Sequence, residues 1–250
     1  MLLGEVVEAL ETGDGWLRCR SEDGFEGWVS SGALVADTGS DAVARWESGG
    51  SDPAIALDAV VARSDGRVLA RLPWGARVRL IDDEVRLPDG RRGTLVEGRL
   101  VRLTEAPGQF AASGRAVVHT ALQWLGVPYL WGGRTRWGAD CSGFVQAVCR
   151  LHGVALPRDS YQQAAVGLAI DLAGGLEVGI EALEPGDLCF FRARDGERIV
   201  HVAISLGGPL ILHVAERNGS IRENDLRGAD ELERSLAERL SVVRRPLASV

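Results

Sequence analysis

Ile199-Val200-His201-Val202-Ala203-Ile204-Ser205-Leu206-Gly207-Gly208-Pro209-Leu210-Ile211-Leu212-His213-Val214-Ala215 is a pair of alternating runs around a Gly-Gly-Pro turn, the pattern of a β-hairpin. A turn symmetric about Gly207 sets His201 directly opposite His213, side chains about 5 Å apart. The same face pairs Ala203 with Ile211 and Ile199 with Ala215. The other face, Val200, Val202 and Ile204 against Val214, Leu212 and Leu210, is apolar throughout. The spacing therefore predicts an apolar face that is buried and a second face that collects both histidines. A one-residue slip would spoil the pairing but keep each histidine on its face.

Outward from the hairpin, Ser113 can cap a helix carrying Val117, Val118, Ala121, Leu122 and Leu125 at helical spacing. Cys141 to Cys149 reads as a second helix stopped by Gly153, and Ser160-x-x-Gln163 as a capping box opening a third. Leu188 to Phe191 is a strand, and Glu231 to Leu240 a closing amphipathic helix. Helices followed by antiparallel strands make an α+β domain over 107–250.

The first hundred residues read instead as short strands and turns. Asp23 to Val35 aligns without gaps on Asp89 to Val101, and Leu3 to Leu10 echoes Trp74 to Leu80. Both copies resemble SH3-like β-barrels, which gives domains over 1–39 and 40–106, with a linker or long loop over 40–53. The second copy has Val60 to Leu72 ahead of its Trp-Gly element where the first has only Met1-Leu2. The first barrel is thus expected to lack its opening strand.

The chain of 250 residues is 46% hydrophobic and 25% charged, as in a packed globular protein. Its 28 basic and 35 acidic residues give a net charge of −7, so no basic field invites nucleic acid or anionic lipid. No apolar run approaches the roughly 20 residues of a membrane span. The opening residues carry no leader pattern, so as written the expected location is cytoplasmic, and export follows if the true start lies upstream. Oligomeric state is not readable from these patterns.

Four cysteines, Cys19, Cys141, Cys149 and Cys189, form no CxxC pair. Cys19, Cys149 and Cys189 sit in apolar strand or helix runs and read as small hydrophobes. Cys141 follows a glycine-rich loop at a helix start, where unpaired amides and the helix dipole favour a thiolate. His119 and His152 have no evident partner and read as surface residues. With Cys141, the facing histidines suit acyl transfer by a thiol: His201 takes the thiol proton and His213 fixes the His201 tautomer. Zinc held by Cys141, His201 and His213 is the rival use of these atoms, ranked lower because no carboxylate stands at second-layer spacing. No metal and no cofactor is therefore expected.

Val127-Pro128-Tyr129-Leu130-Trp131-Gly132-Gly133, Gly138-Ala139-Asp140-Cys141-Ser142-Gly143-Phe144, Leu156-Pro157-Arg158-Asp159-Ser160 and Leu183-Glu184-Pro185-Gly186-Asp187 follow in order ahead of the hairpin. Together they resemble the NlpC family of papain-like cell-wall cysteine peptidases, over roughly 113–247. The resemblance implies a Cys141, His201, His213 triad, with Tyr129 and the Cys141 amide stabilising the oxyanion. Members with two SH3-like domains resemble γ-D-glutamyl-L-diamino-acid endopeptidases acting on peptidoglycan stem peptides with a free N-terminal L-alanine. By that resemblance Asp140 meets the alanine ammonium, and Ser142 and Ser160 hold the D-glutamyl group. Trp131 joins the substrate-binding set. Phe25 stands where such relatives often have tyrosine, and Glu26 is a second candidate for the ammonium. Asp140, Ser142 and Ser160 are equally readable as helix caps. A non-catalytic wall-binding module, and an amidase or acyltransferase on the same Cys/His site, are the alternatives.

Overall fold

The internal repeat is a repeat of backbone geometry as well as of residues. Gly24 and Gly90 both sit at positive φ, 82° and 85°, which glycine alone adopts without strain. Ser21 donates its amide to Phe25 O, and Leu87 donates to Arg91 O, each at 2.9 Å. Asp23 Oδ1 accepts the Phe25 amide and Asp89 Oδ1 the Arg91 amide, the side-chain turn that aspartate favours. Gly4 and Gly75, in the upstream echo, are also matched at positive φ. A third copy of the turn, Asp65-Gly66-Arg67, closes another hairpin in the same way.

The computed structural model describes residues 1–35, 43, 46, 52–172 and 176–247, and most of the expected 40–53 linker lies outside them. The chain divides into Met1–Ala106 and Pro107–Val250. In the first unit β1 (Val7–Gly13), β2 (Trp16–Ser21) and β3 (Glu26–Ser30) form an antiparallel three-stranded sheet. β4 (Asp52–Ala62), β5 (Val68–Leu72), β6 (Arg77–Ile81), β7 (Glu84–Arg86) and β8 (Arg92–Arg102) form a second sheet, which closes because β4 pairs with β8 as well as with β5 and β6. Small residues let it close tightly: Ala54, Ala56, Ala59 and Ala76 fill its core with Leu72, Val78, Val85 and Leu87. These are the all-β, SH3-like elements the sequence pattern predicts.

The second unit is α+β. Its helices are α1 (Gly114–Leu122), α2 (Cys141–Leu151), α3 (Ser160–Gln163), α4 (Leu176–Glu181) and α5 (Glu231–Arg239). β9 (Arg134–Thr135) and β10 (Gly138–Ala139) make a small hairpin before α2. β11 (Leu168–Ile170), β12 (Leu188–Arg192), β13 (Ile199–Gly207), β14 (Leu210–His213), β15 (Arg222–Asp225) and β16 (Leu240–Arg245) build one antiparallel sheet, ordered β11-β16-β12-β13-β14-β15. Ser113 caps α1 through the Ala116 amide, as expected. Gly153, at φ 80°, ends α2 with the Val154 amide reaching back to Cys149 O. The capping box of α3 is Asp159 with Gln162, one residue earlier than the expected Ser160 with Gln163.

The hairpin forms, in a register that corrects the symmetric expectation. Ile204 pairs with Leu212 and Ser205 with Ile211, so His213 lies two residues out of line with His201. The turn is the two-residue Gly208-Pro209, flanked by the Gly207–Leu210 pair, and a bulge at Leu206 absorbs the difference. An offset of two preserves each side chain's face, so the histidines still share one. Both faces are buried, however. Ala203 and Ile211, on the histidine side, pack with Phe191, Leu226 and Leu236 of α5. Val202, Ile204, Leu212 and Val214 are equally buried, while Val200 and Leu210 at the hairpin ends are exposed.

Candidate active site

α2 starts at Cys141 because of what precedes it. Asp140 is extended and its Oδ1 accepts the Gly143 amide at 2.7 Å, the N-cap bond that fixes a helix start. Its Oδ2 accepts the Gly132 amide at 2.8 Å, tying down the glycine-rich loop. Arg158 donates to both oxygens, at 2.6 and 3.0 Å, and to Ser142 Oγ at 2.9 Å. Asp140 and Arg158 are both buried. Gly143 is obligatory, since a Cβ there would lie 2.1 Å from Gly133 O. Loop, helix start and the Pro157-Arg158 segment are thus one clamp around the nucleophile.

Cys141 is half-buried, the only one of the four thiols with any real opening to solvent. Its amide has no hydrogen-bond partner among the described residues, which leaves it available to an oxyanion. The helix start's pull toward a thiolate is opposed. Burial, and then the Asp140 carboxylate, push the thiol up to about 11, against smaller opposing pulls from the Val202 and Ser142 amides and Arg158. Cys149, buried in apolar surroundings, is pushed up to about 12. Tyr129 lies in the same field: burial, then Asp140 and Cys141, raise its phenol. Its amide donates to Gly219 O and its backbone bridges to Ala139, which anchors it beside the nucleophile loop.

On the opposite wall, His201 Nε2 and His213 Nδ1 are 2.9 Å apart, with rings crossed at 79°. His213 Nε2 lies 3.0 Å from Asn224 Oδ1 and 3.1 Å from Asn218 Nδ2. Phe191 packs against the His201 ring at 5.5 Å. Burial holds both imidazoles below their ordinary range, His213 down at about 4. Among the described residues His201 Nδ1 has no partner, and no hydrogen bond joins the Cys141 sulfur to either ring. The sulfur is set beside the amide of Val202, the next residue along from His201. A zinc site would need the two imidazoles aimed at one point, whereas here they direct nitrogens at each other.

The remaining candidates divide. Ser142 is buried and bound to Asp140 and Arg158. Ser160 is the first residue of α3, relieved of capping by Asp159, and its hydroxyl has no partner among the described residues. Trp131 is 85% exposed, a bare indole face beside the loop. Phe25, also exposed, and Glu26 belong to the first unit, where Glu26 is taken up by Arg18 and Arg20. His152 is not a surface residue: it is buried, donating from Nδ1 to Ala111 O and accepting the Thr120 hydroxyl at Nε2. His119 is exposed, as expected. Sequence reasoning missed Arg158, Asn218 and Asn224. Arg158 lay inside a quoted motif, but its partner Asp140 stands 18 residues away and no spacing linked the two.

Residues 126–238 match the NlpC/P60 family. The matched stretch lies within the C-terminal unit. The chain is 26% identical over 241 residues to a gamma-D-glutamyl-L-lysine dipeptidyl-peptidase of Bacillus cereus, an alignment covering 88% of this chain and 68% of that protein. A Bacillus subtilis protein of the same description is 34% identical over 131 residues, covering 51% of this chain and 42% of its own length. A crystal structure of an NlpC/P60 family protein from Bacillus cereus superposes with a TM-score of 0.78 at 24% identity, covering 99% of this chain and 81% of that one. The C-terminal unit thus has the papain-like fold of NlpC/P60 cysteine peptidases.

Proposed function

We propose that this chain hydrolyses the γ-D-glutamyl to L-diamino-acid bond of peptidoglycan stem peptides carrying a free N-terminal L-alanine. The observation that carries the chemistry is the unpartnered His201 Nδ1, on a ring whose other nitrogen is held by His213, one residue from the amide that meets the sulfur. The substrate class rests on the described activities of the two Bacillus relatives.

In this reading the Cys141 thiol attacks the γ-carbonyl carbon while His201 Nδ1 takes its proton. The Cys141 amide and the Tyr129 hydroxyl donate to the oxyanion. As the tetrahedral species collapses, the C–N bond breaks and imidazolium gives its proton to the leaving diamino-acid amine. A water, deprotonated by His201, then cleaves the thioester, releasing the glutamyl carboxylate and the free thiol. Asp140 offers negative charge to the substrate ammonium, and Ser142 and Ser160 offer hydroxyls to the D-glutamyl carboxylate.

Mass spectrometry of L-Ala-γ-D-Glu-meso-diaminopimelate digests tests this. Wild type releases the dipeptide L-Ala-D-Glu, Cys141→Ala releases none, and the N-acetylated substrate is cut far more slowly. Retained turnover in Cys141→Ala, or equal cutting of the acetylated peptide, rejects the thiol chemistry or the ammonium requirement respectively.

A further inference from the structure

The histidine pair is useful as a base only in one of its two neutral tautomer settings. If His213 carries its proton on Nε2, its Nδ1 accepts from His201 Nε2–H, and His201 Nδ1 keeps a lone pair for the thiol. If His213 accepts at Nε2, its Nδ1–H donates to His201, whose own proton then occupies Nδ1 and blocks proton transfer.

The two groups at His213 Nε2 pull in opposite directions. Asn224 presents an acceptor, Oδ1, and Asn218 a donor, Nδ2, at nearly equal distances. The two carboxamides are not equally fixed. Asn224 Nδ2 donates to Glu233 Oε1 at 3.3 Å, and that same oxygen accepts the Asp225 amide at 3.1 Å. A carboxylate only accepts, so Asn224 must turn its NH2 toward Glu233 and its oxygen toward the ring. The Asn218 side chain has no second partner among the described residues, so its amide is free to turn over and offer Oδ1 instead. Gly228 leaves room for this arrangement: a Cβ there would lie 1.7 Å from Glu233 Oε2.

We propose that Glu233, acting through Asn224, is a positioning residue that sets the tautomer of the His213–His201 pair and so keeps His201 Nδ1 unprotonated. The chain of hydrogen bonds runs from α5 to β15 to β14 to β13, and the proton it fixes there decides the state of His201 Nδ1. Its functional consequence rests on His201 being the general base of the proposed peptidase, while its physical content, which ring nitrogens carry protons, does not.

The test is long-range 1H–15N correlation spectroscopy on protein labelled at its four histidines, at a pH where both rings are neutral. Wild type is expected to show His201 and His213 each protonated at Nε2 alone. Glu233→Ala should turn both into tautomer mixtures, and Gly228→Ala, which displaces the carboxylate without removing it, should do the same. Asn218→Ala should leave both tautomers as in wild type. Adding Asn224→Asp to Glu233→Ala should restore the single tautomer, because an aspartate accepts without needing to be oriented. In turnover, Glu233→Ala should lower kcat about twofold or more at unchanged KM, since an even mixture halves the competent fraction, and the added Asn224→Asp should recover it. A wild-type ring protonated at Nδ1 overturns the proposal, whatever the variants do. So does a Glu233→Ala protein that keeps the wild-type tautomers, or an Asn218→Ala protein that loses them. Wild-type tautomers as expected with no peptide turnover would instead reject the peptidase reading and leave the tautomer assignment standing.

Discussion

The nucleophile side and the base side of this site are built on opposite electrostatic plans. Around Cys141 the structure buries a full ion pair, Asp140 with Arg158, and ties it to two backbone amides and Ser142. Around the His201–His213 pair the near neighbours are a phenyl ring against His201 and two carboxamides against His213. Yet both plans push toward neutrality: burial and then the carboxylate raise the thiol, and burial lowers the imidazoles. In the proposed reaction a thiol thus faces a neutral base, and the proton moves when the sulfur attacks.

The sharpest way to break the comparison is to remove each side's central group. Cys141→Ala and His201→Ala should each cost a factor on the order of 10⁴ or more in kcat, because triad members act as a unit. His213→Ala should cost less, since it orients the base and neither attacks nor carries the transferred proton. Equal losses at His201 and His213 in single-turnover assays would show that both rings exchange protons with substrate.

Neutrality at rest is tested by iodoacetamide alkylation of Cys141 against pH. A thiol held near 11 is thiolate only to about 1 part in 10⁴ at pH 7, so the rate should climb about tenfold per pH unit through pH 10. A plateau beginning below pH 7 would mean a preformed thiolate–imidazolium pair, and the two sides would then not share the neutral state.

On the nucleophile side alone, Arg158→Met leaves Asp140 buried without its partner. Removing one member of a buried pair typically costs about 3–5 kcal/mol, to be read from urea unfolding midpoints. Asp140→Asn combined with Arg158→Met should recover part of that loss, since no uncompensated charge remains. A double variant no better than Arg158→Met would place the cost in the caps and loop bonds rather than in the charge.

The same contrast explains what could be read from the sequence. The nucleophile side is local: the glycine loop, Asp140, Cys141 and the α2 start lie within about twenty residues, and cap and glycine preferences are short-range rules. The alternation of β13 and β14 put both histidines on one face, because period two survives an even register error. The register itself depended on a bulge at Leu206, which no local residue announces. Asn218, Asn224 and Glu233 come from a turn, a strand and a helix meeting only after the sheet has formed, so no spacing links them to His213. His152 was misplaced for a similar reason, its partners Ala111 and Thr120 lying 41 and 32 residues away. In the first unit the Asp-Gly turns were legible because the side chain bonds its own neighbour's amide.

The smallest expected effects separate capping from substrate binding on α3, where the two roles fall on adjacent residues. Asp159 carries the cap, so Asp159→Ala should lower stability by about 1 kcal/mol and move KM little. Ser160 is buried at the first helical position with a hydroxyl that bonds nothing described, so Ser160→Ala should leave the unfolding midpoint nearly unchanged. If that hydroxyl holds the D-glutamyl carboxylate, losing one hydrogen bond to a charged group worth about 1.5–3 kcal/mol raises KM roughly tenfold to a hundredfold. The reverse pattern, stability lost at Ser160 and KM raised at Asp159, would return Ser160 to a cap and give the substrate contact to its neighbour.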